Sequence, residues 1–210
     1  MRSLIFAALL ALTACGGGGD SPINTSQAQA PKPLIIAVGD SITAGYIPVG
    51  GYTQLRQDLS FTTELKQVGS VVTLAVGGAT SSDGLGYQAA TLKGLPADVV
   101  VVMFGINDAL KGLTAEQTSD NIDRIFGAFP GARRVVMAEP LWSEATRATQ
   151  AALTEELRVR SVIWGARFVD LYTPSADLHP YCTADRHPCE DWHRATGATV
   201  SAAVLEALKK

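Results

Sequence analysis

Three short segments of this chain carry the side chains and glycines that could perform catalysis. They are Gly39-Asp40-Ser41, Gly77-Gly78 and Gly105-Ile106-Asn107-Asp108, and each follows a stretch typical of a buried β-strand. A serine in such a position is a candidate nucleophile, and its attack on an ester carbonyl puts negative charge on the carbonyl oxygen. Hydrogen-bond donors must then point at that oxygen. We predict that the donors are the backbone N–H groups of Ser41 and Gly78 and the side-chain amide of Asn107.

The elements that position these segments alternate between strands and helices. Apolar runs predict strands at 34–38, 71–76, 98–104, 134–138 and 167–171. Helical spacing and breakers predict helices at 52–59, 81–93, 114–129, 143–164 and 196–209. This alternation predicts an α/β fold, a three-layer sandwich around a flavodoxin-like five-stranded parallel sheet of order 2-1-3-4-5. The first three strands are neighbours in that order, so the three segments share one crevice.

These segments resemble the four-block signature of the SGNH hydrolases, also called GDSL esterases and lipases. Gly39-Asp40-Ser41, Gly78 and the run from Gly105 to Asp108 match the first three blocks in order. The closest likeness is to the periplasmic thioesterase/lysophospholipase branch. The resemblance implies the SGNH fold and the hydrolysis of carboxylic esters or thioesters through an acyl-enzyme on Ser41. It implies no cofactor and no metal.

The fourth block is irregular, and two histidines compete for its position. The family places an acid three residues before a histidine that precedes the last helix. His193 lies nearest to the predicted last helix, and Glu190 stands three residues before it. We therefore predict His193 as the base and Glu190 as the residue that orients it, with Asp191 as an alternative to Glu190. His187 is the alternative base because His187-Pro188 imitates the histidine-proline pair common in the family.

Other functions remain possible on the same residues. A carbohydrate O-acetyl esterase could use the same catalytic groups, and a binding lipoprotein could carry a decayed site. A metal site is disfavoured because the spacing of Asp177, His179, Asp185 and His187 matches no strong ligand pattern. A nucleotide site is disfavoured because no Gly-x-Gly-x-x-Gly or Walker pattern follows the first strand.

The N-terminus reads as a leader and a tether. Arg2 precedes the apolar run 4–12, and Leu12-Thr13-Ala14-Cys15 resembles the lipobox of bacterial lipoproteins. The resemblance implies a signal peptide over 1–14 and membrane attachment through a lipidated Cys15. A glycine- and proline-rich tether then covers 15–33, and the hydrolase domain covers 34–210. We expect a location in the cell envelope, facing the periplasm, at the outer rather than the inner membrane because Gly16 is not aspartate.

Composition limits the partners. The chain has 210 residues and a net charge of -3, without a basic stripe, which disfavours nucleic acid. We expect a monomer that acts on a small-molecule ester. Beyond Cys15, the chain has two cysteines, Cys182 and Cys189. An even pair in an oxidising compartment predicts a disulfide, which would brace the loop between the last strand and the last helix.

Overall fold

A parallel sheet of five strands forms the centre of the fold. The computed structural model describes residues 31–178, 181 and 186–210. The strands in these residues are β1 (Leu34–Gly39), β2 (Tyr46–Val49), β3 (Tyr52–Leu55), β4 (Ser70–Ala75), β5 (Val99–Met103), β6 (Arg133–Ala138) and β7 (Arg167–Asp170). The sheet order is β4-β1-β5-β6-β7, with every pair parallel. This confirms the predicted order 2-1-3-4-5, counted over the strands of the sheet.

Helices cover both faces of this sheet. The α-helices are α1 (Ser41–Ala44), α2 (Phe61–Leu65), α3 (Ser81–Asp83), α4 (Ile106–Leu110), α5 (Ala115–Gly127), α6 (Arg147–Ile163), α7 (Tyr172–Leu178) and α8 (Glu190–Leu208). Helices α5 and α6 contribute to the apolar cluster on one face, and α2 and α8 contribute to the cluster on the other. Every residue of β5 is buried, because β5 is a central strand covered on both sides. The predicted three-layer α/β sandwich is therefore confirmed.

The segment 52–59, predicted as a helix, begins as half of a hairpin. Strands β2 and β3 pair antiparallel, and Val49 pairs with Tyr52 across the two-residue loop Gly50-Gly51. Both glycines have positive φ, 63° and 86°, as a tight two-residue hairpin loop requires. A 3-10 turn follows at Gln57–Leu59. Local turn chemistry thus overrides the helical spacing of the apolar residues.

Other boundaries also differ from the predictions. The region predicted as one helix from 81 to 93 is α3 followed by a π-helical stretch at Gly84–Ala89. The last helix begins at Glu190 and not at 196, and α7 occupies part of the loop expected between the last strand and the last helix. Two acidic residues in the first turn of α8 favour this early start through the helix dipole. None of the helices in the described part of the chain is long and apolar enough to cross a membrane.

Candidate active site

Ser41 begins α1 at a sharp turn that only glycine permits. A Cβ on Gly39 would lie 2.1 Å from Oγ1 of Thr43 and 2.9 Å from the carbonyl oxygen of Met103. Asp40 caps the helix, because its carboxylate accepts a hydrogen bond from the backbone N–H of Ile42 at 3.0 Å. The turn therefore holds Ser41 at the carboxyl end of β1, where open parallel sheets bind their ligands.

A cavity of about 440 Å³ brings the three predicted segments together. It is lined by Asp40, Ser41, Ile42, Tyr46, Gly77, Gly78, Ile106, Asn107, Trp142 and His187. Strands β4, β1 and β5 are adjacent, so the segments that follow them meet at one edge of the sheet. Ser41, Gly78 and Asn107 thus line one cavity, as the sequence led us to expect.

Gly78 presents an open backbone to this cavity. Its φ is 75°, and a Cβ built on it would meet no atom within 4 Å. The ammonium group of Lys111 donates a hydrogen bond of 2.9 Å to the carbonyl oxygen of Gly78, in the peptide that links Gly78 to Ala79. A ligand can therefore approach the backbone here closely.

Asn107 is held by a neighbouring carboxylate. It lies in the first turn of α4, and its Nδ2 donates a 2.6 Å hydrogen bond to Oδ2 of Asp40. The amide nitrogen carries a second hydrogen, which is the one that could serve a bound oxyanion. Asp40 thus both caps α1 and orients a donor of the site.

Asp108 links the loop that follows β4 to α4. Its carboxylate accepts hydrogen bonds from the backbone N–H of Ser81 at 3.0 Å and from the Ser81 hydroxyl. The hydroxyl of Thr118 donates a third bond at 3.1 Å. Burial raises the pKa of Asp108, although these hydrogen bonds oppose the shift. The segments carrying Gly78 and Asn107 are consequently tied together behind the cavity.

His187 is the histidine that meets the serine. Its Nε2 lies 3.0 Å from Oγ of Ser41. Its ring packs edge-on against Trp142 at 5.8 Å and tilted against Tyr46 at 5.9 Å. Arg186 precedes it with a φ of 58° and donates a 2.6 Å hydrogen bond to the carbonyl of Trp142. A serine hydroxyl and an imidazole nitrogen at this distance have the geometry that nucleophilic catalysis requires.

His193, predicted as the base, occupies a different place. It is 0% exposed in the contact between α8 and α2, where its Nδ1 accepts a 3.3 Å hydrogen bond from the backbone N–H of Phe61. Its ring stacks on Phe61 at 6.3 Å. Burial lowers the pKa of His193 to about 3, so it stays neutral. The geometry thus corrects the prediction, because an α8 that starts at Glu190 turns His193 into the core.

The sequence was compared with models of known protein families. Residues 37–195 match the model of the GDSL-like Lipase/Acylhydrolase family, which is more than half of the chain. The chain belongs to this family. No curated protein sequence matches it significantly.

Solved structures of other proteins share the fold of this GDSL-like chain. A lipase/acylhydrolase from Enterococcus faecalis is 23% identical with a TM-score of 0.63, over 82% of this chain and 95% of that one. The psychrotrophic esterase EstA from Pseudoalteromonas sp. is 16% identical with a TM-score of 0.63, over 85% and 100%. A carbohydrate esterase family 2 enzyme with a carbohydrate binding domain, from Myceliophthora fergusii, is 21% identical with a TM-score of 0.67, over 88% and 69%.

In this GDSL-like protein, the two acidic residues predicted to orient His193 lie on the exposed surface of α8. Glu190 accepts a 2.9 Å hydrogen bond from Arg194, and Asp191 accepts another of 2.9 Å from the same guanidinium. Both carboxylates are exposed. Neither Glu190 nor Asp191 therefore orients a histidine, because the first turn of α8 directs them toward solvent and Arg194.

Sequence reasoning missed two residues of the site and underrated a third. Trp142 lines the cavity against His187, and buried Glu139 accepts a hydrogen bond from the backbone N–H of Ile106. Their segment follows the fourth strand of the sheet and matches no motif block. The His187-Pro188 pair was a sequence signal for His187. It was a better guide to the base than the closeness of His193 to the predicted last helix.

Some predictions lie outside the described residues. These are the leader and lipidated Cys15, together with His179, Cys182 and Asp185, so the Cys182–Cys189 disulfide stays a prediction. In residues 31–178, 181 and 186–210, no group of three or more histidine, cysteine, aspartate or glutamate residues could hold a metal ion.

Proposed function

We propose that this chain is a serine hydrolase that cleaves carboxylic esters or thioesters, with Ser41 as nucleophile and His187 as base. One observation carries the proposal, the 3.0 Å distance between Oγ of Ser41 and Nε2 of His187 in a cavity that Gly78 and Asn107 also line. Membership of a lipase/acylhydrolase family supports it. The likeness to the thioesterase branch remains a prediction from the sequence.

The reaction follows from these groups. His187 accepts the proton of Ser41 as the serine oxygen attacks the carbonyl carbon of the ester. The backbone N–H groups of Ser41 and Gly78 and the amide of Asn107 stabilise the negative oxygen of the tetrahedral intermediate. His187 then gives its proton to the leaving alcohol or thiol. Water, deprotonated by the same imidazole, hydrolyses the acyl-enzyme and regenerates Ser41.

Hydrolysis of p-nitrophenyl acetate and butyrate tests this proposal. The wild type should release p-nitrophenol, and Ser41→Ala should lower kcat by several orders of magnitude. Thr43→Ser, in the same short helix, is the matched control for folding, since Thr43 is buried and lies outside the cavity lining. A folded wild type that is inert on every short ester would instead favour the binding lipoprotein with a decayed site.

A carbohydrate O-acetyl esterase is the second candidate, and a neighbouring pocket favours it. This pocket of about 270 Å³ shares Gly77 and Gly78 with the catalytic cavity and is also lined by Asp83, Tyr87 and Gln88. Tyr87 is 72% exposed, and an exposed aromatic ring beside a carboxylate and an amide suits the C–H face and hydroxyls of a sugar. The carbohydrate esterase with the same fold is in line with this reading.

The two candidates differ in what Tyr87 should do. If the pocket holds the sugar, Tyr87→Ala raises KM for an acetylated xylo-oligosaccharide severalfold and leaves p-nitrophenyl acetate turnover unchanged. Val159→Ala, at another exposed apolar position on the remote helix α6, is the control. Equal KM values for Tyr87→Ala and wild type on the oligosaccharide would remove the second candidate.

We also propose attachment to the cell envelope through Cys15. The lipobox-like sequence before Cys15 supports it. Incorporation of labelled palmitate into the wild type, and its loss in Cys15→Ser, would be the expected result. Fractionation of the two membranes would then test the outer-membrane expectation.

A further inference from the structure

Glu139 is a buried carboxyl group that the proposed reaction does not use. It follows β6 directly and is 3% exposed. Its Oε2 accepts a hydrogen bond from the backbone N–H of Ile106, the first residue of α4. A Cβ on Gly105 would lie 3.5 Å from the same oxygen. Glu139 therefore packs against the turn that carries Asn107.

The carboxyl group of Glu139 also lies next to that of Asp40, close enough for each to act on the pKa of the other. Two carboxylates can only accept hydrogen bonds, so this contact requires a proton on one of them. Asp40 already accepts from the backbone N–H of Ile42 at 3.0 Å and from Nδ2 of Asn107 at 2.6 Å. These two donors favour the ionised form of Asp40, whereas a single backbone N–H favours the ionised form of Glu139. The proton consequently belongs on Glu139.

The directions of the pKa shifts of Glu139 and Asp40 agree with a proton on Glu139. Burial, followed by repulsion from Asp40, raises the pKa of Glu139 well above its ordinary value. Burial also raises the pKa of Asp40, and the hydrogen bond from the backbone N–H of Ile42 opposes the shift. The pair therefore holds a proton to higher pH than exposed carboxyl groups do.

We propose that Glu139 is a positioning residue of the oxyanion site: protonated Glu139 donates to ionised Asp40, and Asp40 holds the amide of Asn107. Glu139 then fixes the Asn107 turn at two points, through the N–H of Ile106 and through Asp40. This inference rests on the proposed function, because it assigns Asn107 to the oxyanion. A donor fixed in advance avoids reorganisation when charge develops on the substrate.

Two other titratable groups interact with the pair. Asp108 raises the pKa of both Asp40 and Glu139 by repulsion. The pKa of Tyr181 is raised by both Glu139 and Asp40, and Arg186 lowers it. Substitution of Glu139 leaves Asp108, Tyr181 and Arg186 in place, so a difference between Glu139 variants reports on the pair.

The pH dependence of kcat and KM for p-nitrophenyl acetate tests the inference. Glu139→Leu removes the donor to Asp40, so Asp40 keeps its proton to higher pH and the acidic limb of kcat moves upward. We expect kcat to fall by about 10²-fold with KM nearly unchanged, as on removal of one oxyanion donor. Glu139→Gln should rescue kcat and the acidic limb, because its amide can accept from Ile106 and donate to Asp40.

Asp40→Asn distinguishes the two possible positions of the proton. With the proton on Glu139, Asp40→Asn leaves one acceptor oxygen for the donors of Ile42, Asn107 and Glu139, so the hold on Asn107 weakens and kcat falls as in Glu139→Leu. With the proton on Asp40, the asparagine would imitate it and Glu139→Gln would be the impaired variant. Active Asp40→Asn beside impaired Glu139→Gln, or an unchanged pH profile in folded Glu139→Leu, would overturn the proposal.

An NMR measurement on the full chain separates this inference from the proposed function. The side-chain amide signal of Asn107 is identified by its loss in Asn107→Asp. It should keep its position in Glu139→Gln and move toward that of a free amide in Glu139→Leu. If this pattern holds while the wild type cleaves no ester, the proposed function fails alone. If the wild type cleaves esters and the Asn107 amide signal keeps its position in Glu139→Leu, the positioning role fails alone.

Discussion

Nε2 of His187 lies 3.0 Å from Oγ of Ser41, although 146 positions separate the two residues in the chain. Contacts with the segment after β6 hold His187 there. Tyr181 and Pro188 form a β-bridge, and the hydroxyl of Tyr181 donates to the carbonyl of Leu141. Side chains that brace a loop in this way can hold a catalytic group that no regular element carries.

The same substitution at His187 and at His193 separates their roles. His187→Gln should lower kcat for p-nitrophenyl butyrate by several orders of magnitude, because the base of the reaction is lost. His193→Gln should change kcat by no more than a few fold, since glutamine can still accept from the N–H of Phe61. Steady-state kinetics of both variants decides the matter. Comparable losses of kcat in two folded variants would speak against His187 as the sole base.

His193 should make the protein less stable in acid. Its pKa in the folded state is about 3, below the ordinary value of 6.5, so the unfolded chain binds the proton more readily. The stabilisation is complete above pH 6.5 and is lost as the pH falls toward 3. Within this window the free energy of unfolding should drop by about 1.4 kcal/mol per pH unit from this group.

Urea unfolding of wild type and His193→Gln between pH 7 and 4 measures this term. Glutamine does not titrate, and every other ionisable group is common to both proteins. The wild type should therefore lose stability more steeply on acidification than the variant. Parallel curves of unfolding free energy against pH would show that His193 is not held neutral by burial.

The sheet and three of the proposed site residues were predictable because they depend on short segments. Buried strands such as β5 read as continuous apolar runs, and the order of a five-stranded parallel sheet follows from common topology. Ser41, Gly78 and Asn107 each directly follow or lie near the end of such a strand. Their meeting in one cavity then needed no knowledge of the loops.

The histidine was not predictable from spacing, because its choice depended on where α8 begins. A start at 196 would leave His193 in a loop, whereas the observed start at Glu190 puts it on the buried face of a helix. The role of Glu139 was not predictable from the sequence for another reason. Its role comes from contacts with Asp40 and Ile106 across two neighbouring strands, and no pattern along the chain records such contacts.

The carboxylate that orients His187 is a further testable point. Asp185 stands two residues before His187 in the sequence and lies outside the described residues, and Glu190 is engaged with Arg194 at the surface. We predict that Asp185→Asn lowers kcat by about 10²–10⁴-fold, as loss of an orienting carboxylate does in serine hydrolases. Glu190→Gln is the matched control and should cost only an exposed ion pair. Kinetics in which Glu190→Gln is the slower variant would contradict this assignment.

The turn before Ser41 should tolerate no side chain at Gly39. In Gly39→Ala the new methyl group would meet Oγ1 of Thr43 at 2.1 Å and the backbone oxygen of Met103 at 2.9 Å, and the backbone cannot yield without moving Ser41. We expect the free energy of unfolding to fall by about 1–3 kcal/mol from overpacking, together with a loss of kcat.

Gly127→Ala is the control for this prediction. Gly127 is exposed at the end of α5, and a Cβ there meets nothing within 4 Å. Alanine should stabilise the helix by about 0.5–1 kcal/mol and leave kcat unchanged. Thermal unfolding and p-nitrophenyl acetate turnover of both variants provide the measurement. If Gly39→Ala matched the wild type in both thermal stability and turnover, the turn would have space for a methyl group. The tight packing that we assign to the turn before Ser41 would then be wrong.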